Sequence, residues 1–350
     1  MQNNNLFSTL AFLENPAYNQ NITSDRGGNM DFDFNVDIQI LLNKFSDYDI
    51  LYPAHMIEHI AGISTAQKPI DYSLLFFNSF KEDYVCKIQT IKNCLMLVNT
   101  NYKNYVISPA SAIIFCDNPR YEYARILHFI LKNNPAPNPE FQNIGGAYVS
   151  QKASIGKNTV LGPGAVIYND VSIGNHSIIM PGAIINPKVK IGDYCIIREN
   201  AVIGGYGFGI EKDPEGNNIR IPHLGGVLIE NNVEIGAVTT VASGTIDPTY
   251  IGDFVKIDDH CHIGHNDIIC KNTVITAGAV IGGSTKLEEN SWIGINSNIM
   301  NGISIGKNVT VGMGTNVCKS VADKEIVMPE NNETMTQRLE RLRTQRSKKH

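Results

Sequence analysis

An aliphatic residue recurs at every sixth position through the second half of this chain, and few folds tolerate such a period. Positions 155, 161, 167, 173, 179, 185, 191, 197 and 203 are all Ile or Leu, nine in unbroken register. The register resumes at Ile229, Ile235 and Val241, and twelve more positions follow from Ile251 to Val317. A six-residue period is the mark of a parallel β-helix, in which three short strands make each triangular coil. The inward aliphatic fills the core, and the glycine that often follows it (156, 162, 174, 192, 204) lets the chain turn. Twenty-four hexads make about eight coils, a prism roughly 38 Å long at ~4.8 Å per coil.

Two interruptions break the period. Gly204–Gly226 (GGYGFGIEKDPEGNNIRIPHLGG) is too long and polar for a strand and must leave the prism as a loop. Loops on a rigid scaffold are where ligands are commonly held. A four-residue slip follows around Thr245–Thr249.

Before the repeats the pattern is mixed. Residues 1–30 hold seven asparagines and weak periodicity and read as a tail. Residues 31–134 alternate short β-type runs with polar turns, a small α/β domain. Its best helix follows Asp117, with Asn118 to cap, Pro119 in the first turn, and Tyr123, Ile126, Leu127 and Ile130 on one face. Residues 135–147 read as a linker, 148–327 as the β-helix, and 328–350 as a C-terminal helix with a basic tail.

Composition narrows the function. With 43% hydrophobic and 18% charged residues the 350-residue chain is globular. No apolar run reaches the ~18 residues that span a bilayer. Seven scattered cysteines without a CxxC point to a reducing cytosol, hence a cytoplasmic protein. The net charge of −5, with +5 in residues 336–350 and −10 in the rest of the chain, argues against nucleic acid.

The chemistry concentrates in Lys256–Ser284, where His260, His262 and His265 interrupt the hexads. Gly283 lies eighteen residues after His265, one full coil, so a possible base and a backbone donor fall on neighbouring coils. Histidine suits proton transfer near neutral pH, and a glycine lets a backbone N–H approach a developing oxyanion. No nucleophile motif appears. Three clustered histidines also raise a β-helix zinc enzyme. His260, His262 and His265 do not converge within one strand, however, so no metal is expected. A non-enzymatic rod would show repeated threonine ladders and no long loop.

In order along the chain, DNPRYEYARIL (117–127), GGYGFG (204–209), IPHLGGVLIENNVEIGAVTT (221–240), KIDDHCHIGHN (256–266) and GGS (282–284) resemble UDP-3-O-acylglucosamine N-acyltransferase, within the hexapeptide-repeat acyltransferases. The resemblance implies a left-handed β-helix, although parallel crossovers are ordinarily right-handed. It also implies a homotrimer with sites between subunits and an N-terminal domain that helps hold the nucleotide. It makes His265 the general base, Gly283 the oxyanion donor, and Asp258 or Asp259 the orienter of the histidine. Candidate substrate contacts are Tyr206, Phe208 and His223 on the loop, His262 on the β-helix, and Asn78 with Phe76 or Phe80 in the N-terminal domain.

The chain departs from that pattern at Thr239–Gly244, which lacks an Asp-Arg pair, at Asn301-Gly302-Ile303, and around Asn78, where Leu75 and Lys81 replace aromatics. The expectation is therefore an N-acyltransferase acting on a nucleotide-linked amino sugar for surface polysaccharide assembly. It would use acyl-CoA or acyl carrier protein as cosubstrate and no bound cofactor. The alternative is the lipid A enzyme itself, taking a 3-hydroxyacyl chain from acyl carrier protein.

Overall fold

The computed structural model describes residues 36–51, 59–77, 82–104, 110–135 and 138–329. The asparagine-rich start, Asn78, Phe80 and the basic C-terminal segment after Pro329 lie outside the described residues.

The N-terminal part is built on a five-stranded sheet. Its strands are β1 (Asp49–Leu51), β2 (Gly62–Ile63), β3 (Ser73–Phe77), β4 (Leu95–Asn99) and β5 (Ala112–Cys116), in the order β1-β5-β4-β3-β2. Only β1 runs antiparallel to its neighbour. β4 and β5 are apolar almost throughout because both faces of the sheet are covered, by separate clusters around Leu95 and Met96. The helices are α1 (Ile38–Lys44), α2 (Glu82–Thr90) and α3 (Pro119–Asn133). α3 starts where the sequence places it: the Asn118 side chain accepts the Tyr121 N–H at 3.1 Å. Tyr123, Ile126, Leu127 and Ile130 are buried beneath it.

The chain then enters a three-faced parallel solenoid whose sheets hold eight, nine and ten strands. Residues 141–147, expected as linker, instead form a hairpin: Phe141–Ile144 pairs antiparallel with Ala147–Ser150 and opens the first coil. Neighbouring coils stack at eighteen residues, as in Ile257↔Ile275 and Ile263↔Ile281. The inward aliphatics form one continuous core from Ala147 to Val317. Each such side chain contributes ~1.5–3 kcal/mol of burial. Corner turns place one residue at positive φ, and asparagine takes many of these positions (Asn158, Asn266, Asn272, Asn290) because its short polar side chain tolerates that region.

Both interruptions appear as longer coils. Ile203 pairs with Val241 thirty-eight residues on, since 204–226 leaves the prism. Val241 pairs with Ile263 twenty-two residues on, which absorbs the slip. The loop carries its own hairpin, Ile210–Lys212 against Asn218–Arg220. That hairpin rests on α3 through Arg120–Glu211 at 2.8 Å and His128 Nε2 at 2.7 Å from the Arg220 carbonyl. Leu224 and Ile246 complete the N-terminal core, so loop and slip are clasped between the two parts of the chain.

Candidate active site

His265 and Gly283 occupy the same corner on successive coils. A Cβ built on Gly283 would lie 2.9 Å from His265 Nε2 and 3.0 Å from its Cδ2 and Cε1, so the imidazole covers the glycine. Any side chain there would displace the ring. The backbone around Gly283 is otherwise paired: Gly282 N–H donates to Ile299 O at 2.9 Å and Ser284 N–H to His265 O at 2.7 Å. At comparable corners the equivalent N–H is taken by an Asn or Asp of the next coil, as in Lys157 to Asn175 and Ala237 to Asp259. Among the described residues the Gly283 N–H has no such acceptor.

The register slip orients the histidine. Asn266 Oδ1 accepts from Thr245 N–H (3.1 Å) and Thr245 Oγ1 (2.9 Å), and its amide nitrogen donates to Asp247 O (2.9 Å). A backbone N–H must face oxygen and a carbonyl must face N–H₂, so the amide has one orientation. His265 Nδ1, 3.0 Å from that same Oδ1, must then carry the proton. In the neutral ring the lone pair then falls on Nε2, the atom beside Gly283. This tautomer is the one a general base needs.

The loop closes the other side. His223 is 3% exposed, and its ring meets His265 edge-on with centroids 5.0 Å apart at 70°. Its Nδ1–H donates to Ile221 O at 2.9 Å, and its Nε2 is buried without a partner. Burial lowers its pKa to about 4, with the charges of Arg220 and Arg120, and of His265 when protonated, acting the same way, so the ring is neutral near pH 7. Gly207 must be glycine: a Cβ there would fall 2.7 Å from His223 Nε2 and from His265 Cβ. Arg220 Nη1 donates to Gly207 O at 2.8 Å and pins this arch. Tyr206 and Phe208 are 72% and 78% exposed at its rim, with the Arg220 guanidinium 5.4 Å from the Phe208 ring.

The structure places other expected residues elsewhere. Asp258 and Asp259 do not orient His265. Asp259 Oδ1 accepts Ala237 N–H at 2.7 Å and Arg198 Nη1 at 2.9 Å, while Asp258 accepts Asp259 N–H and Ala277 N–H. In a solenoid six residues carry the chain to the next corner, and only eighteen bring it back. Phe76 is not a free stacking ring either: it packs on Tyr123 at 4.9 Å, against the N-terminal core. His262 stands on the outer face, its Nδ1 2.8 Å from Thr240 Oγ1, and its pKa is lowered by burial and by the charge of His265. His260 is a corner residue at φ 58°. Among the described residues no three His, Cys, Asp or Glu side chains gather in a way that could hold a metal ion.

Asn266, the actual partner of His265, was not singled out from sequence. Its signal was the slip at Thr245–Thr249, whose extra residues supply the donor and acceptor that fix it.

The fold is a left-handed parallel β-helix built from hexapeptide repeats. The bacterial transferase hexapeptide (six repeats) family matches residues 152–187, 170–205 and 284–319. The particular likeness is to UDP-3-O-acylglucosamine N-acyltransferases. That of Bordetella parapertussis is 40% identical over 124 residues, 35% of this chain and 34% of the relative. That of Coxiella burnetii is 48% identical over 84 residues, 24% of this chain and 25% of the relative. The chain thus spans about a third of the length of the first of these relatives. Among solved structures, a Francisella novicida UDP-N-acetylglucosamine acyltransferase superposes with a TM-score of 0.50 at 23% identity, covering 57% of this chain and 72% of that one. No helix among the described residues is long and apolar enough to cross a membrane.

Proposed function

We propose that this chain is an N-acyltransferase that moves an acyl group from a thioester to the amine of a nucleotide-linked amino sugar. The observation that carries the reading is the placement of His265 Nε2 beside the Gly283 N–H, which has no acceptor among the described residues, while Asn266 holds His265 Nδ1–H. In this reading the sugar amine attacks the thioester carbonyl and His265 takes the proton the amine loses. The Gly283 N–H donates to the oxyanion of the tetrahedral intermediate. The C–S bond then breaks, and the leaving thiolate receives the proton from His265. One such donor is worth ~3–4 kcal/mol of transition-state stabilisation.

Of the two substrate readings, a 3-O-acylated UDP-glucosamine of the lipid A type is better supported than acetylation for another surface polysaccharide, because relatives at 40% and 48% identity carry that name. The donor would then be a 3-hydroxyacyl thioester, on acyl carrier protein or CoA. The seven free cysteines suit a cytoplasmic enzyme, and the partly exposed His265 suits a site completed by a second subunit of a homotrimer. Thiol release with acetyl-CoA, 3-hydroxyacyl-CoA and 3-hydroxyacyl carrier protein, each with UDP-amino sugars, tests the reading. Transfer confined to the hydroxyacyl donors supports it; turnover with acetyl-CoA alone removes the lipid A assignment.

A further inference from the structure

Two residues before each of the twenty-four inward aliphatics lies a residue that fills a corner from inside the prism. Between Ala153 and Thr315 these corner residues are Ala, Val, Ser, Thr, Cys or Ile with one exception, Asp267. A carboxylic acid in a dry corner is costly to bury, and it stands in the coil of His265, two residues after the base. Asp267 is fully buried. Its Oδ1 accepts the Thr285 N–H at 2.9 Å, and its Oδ2 has no partner among the described residues. Burial raises its pKa to about 8, so near neutral pH it sits in the interior largely as the uncharged acid.

The bond to Thr285 bears on Gly283 directly. At several corners the N–H turns to the carbonyl three residues back, as Ala279 does to Thr276 at 3.3 Å and Ser297 to Gly294 at 3.2 Å. That bond closes the turn on itself. At two corners a Ser or Thr one coil earlier takes the N–H with its hydroxyl instead, Ser177 from Cys195 and Thr239 from Cys261. Asp267 does this for the turn Gly282–Thr285, leaving the Gly282 carbonyl to the Thr285 hydroxyl. Ser284 N–H is tied to His265 O in the same turn. Gly283 is therefore bracketed on its C-terminal side by two bonds to the coil that carries the base.

We propose that Asp267 is a positioning residue for acyl transfer: from inside the prism its carboxyl grips the Gly283 turn and keeps the Gly283 N–H in register with His265. The proposal rests on the reading of Gly283 as the oxyanion donor. It does not require Asp267 to touch substrate.

The test compares Asp267→Val with Asp267→Thr in the full chain. Valine already fills corners such as Val255 and Val309, so the first variant keeps the fold while removing the acceptor. Threonine restores an acceptor oxygen in the manner of Thr239. The proposal expects Asp267→Val to lower kcat by ~10-fold or more with KM for the sugar nucleotide within about twofold, and Asp267→Thr to recover most of the loss. Hydrogen exchange of the peptide covering 281–287 should quicken in the valine variant and not in the threonine one. Wild-type kcat in Asp267→Val, with His265→Ala still inactive, would overturn this proposal alone. Absence of acyl transfer in the wild type would overturn the proposed function instead, and unchanged exchange in 281–287 for Asp267→Val would still count against Asp267.

Discussion

The Nε2 of His265 lies where a side chain on Gly283 would have to be, 2.9 Å from a Cβ built on that glycine. Gly283→Ala is therefore a displacement of the base rather than a change of fold, because the atoms in the way belong to a side chain and not to the backbone. The expected result is a fall in kcat on the order of 10²-fold, with a melting temperature close to wild type. Steady-state kinetics and a thermal melt on the same preparation check it.

Asn266 holds the tautomer. Asn266→Ala leaves the Thr245 N–H and the Asp247 carbonyl without their partner and frees His265 Nδ1–H. A stability loss of about 2 kcal/mol and a kcat loss of ~10-fold are expected together. Asn266→Asp keeps the oxygen that faces His265 and Thr245 but sets a second oxygen against the Asp247 carbonyl. It should recover activity more than stability, as denaturant unfolding set beside kcat would reveal.

His223 makes the fold sensitive to acid. Its pKa in the folded chain, about 4, lies below the ordinary value of 6.5, so the folded state binds this proton less readily than the unfolded chain does. The stability it contributes is complete above about pH 6.5 and is lost as pH falls toward 4, on the order of 3 kcal/mol in all. His223→Phe should flatten unfolding free energy over that interval. An unaltered slope would show that some other group titrates there.

Asp267 acts in the opposite direction. With its folded pKa raised from 3.8 to about 8, chiefly by burial, its contribution is fully present below about pH 4 and declines as pH rises to 8. Asp267→Thr should thus gain stability at pH 8 relative to wild type and show little difference at pH 4. Paired denaturant titrations at the two pH values measure this.

Much of this architecture is legible in the chain because each inward aliphatic reports its own position. Ile257, Ile263 and Ile281 announce their place by number alone, and the same eighteen-residue arithmetic pairs His265 with Gly283. The arithmetic also explains the miss. Asp258 and Asp259 look close to His265 along the chain, yet they lie one corner away and serve a ladder that includes Ala237 and Arg198. Asn266 is not legible in the repeat because its partners come from Thr245 and Asp247, residues outside the hexad register, whose path no period describes. His223 is legible as a loop residue. Its contact with His265 depends on how Gly207 and Arg220 fold the loop back, and that is a matter of packing rather than pattern.

The most direct test of the account is product formation by wild type and His265→Ala, followed by mass spectrometry with a UDP-amino sugar and a 3-hydroxyacyl thioester. The account predicts one thiol released per N-acylated sugar in the wild type, and a rate at least ~10²-fold lower in the variant with its fold intact. Equal rates in the two proteins would contradict it.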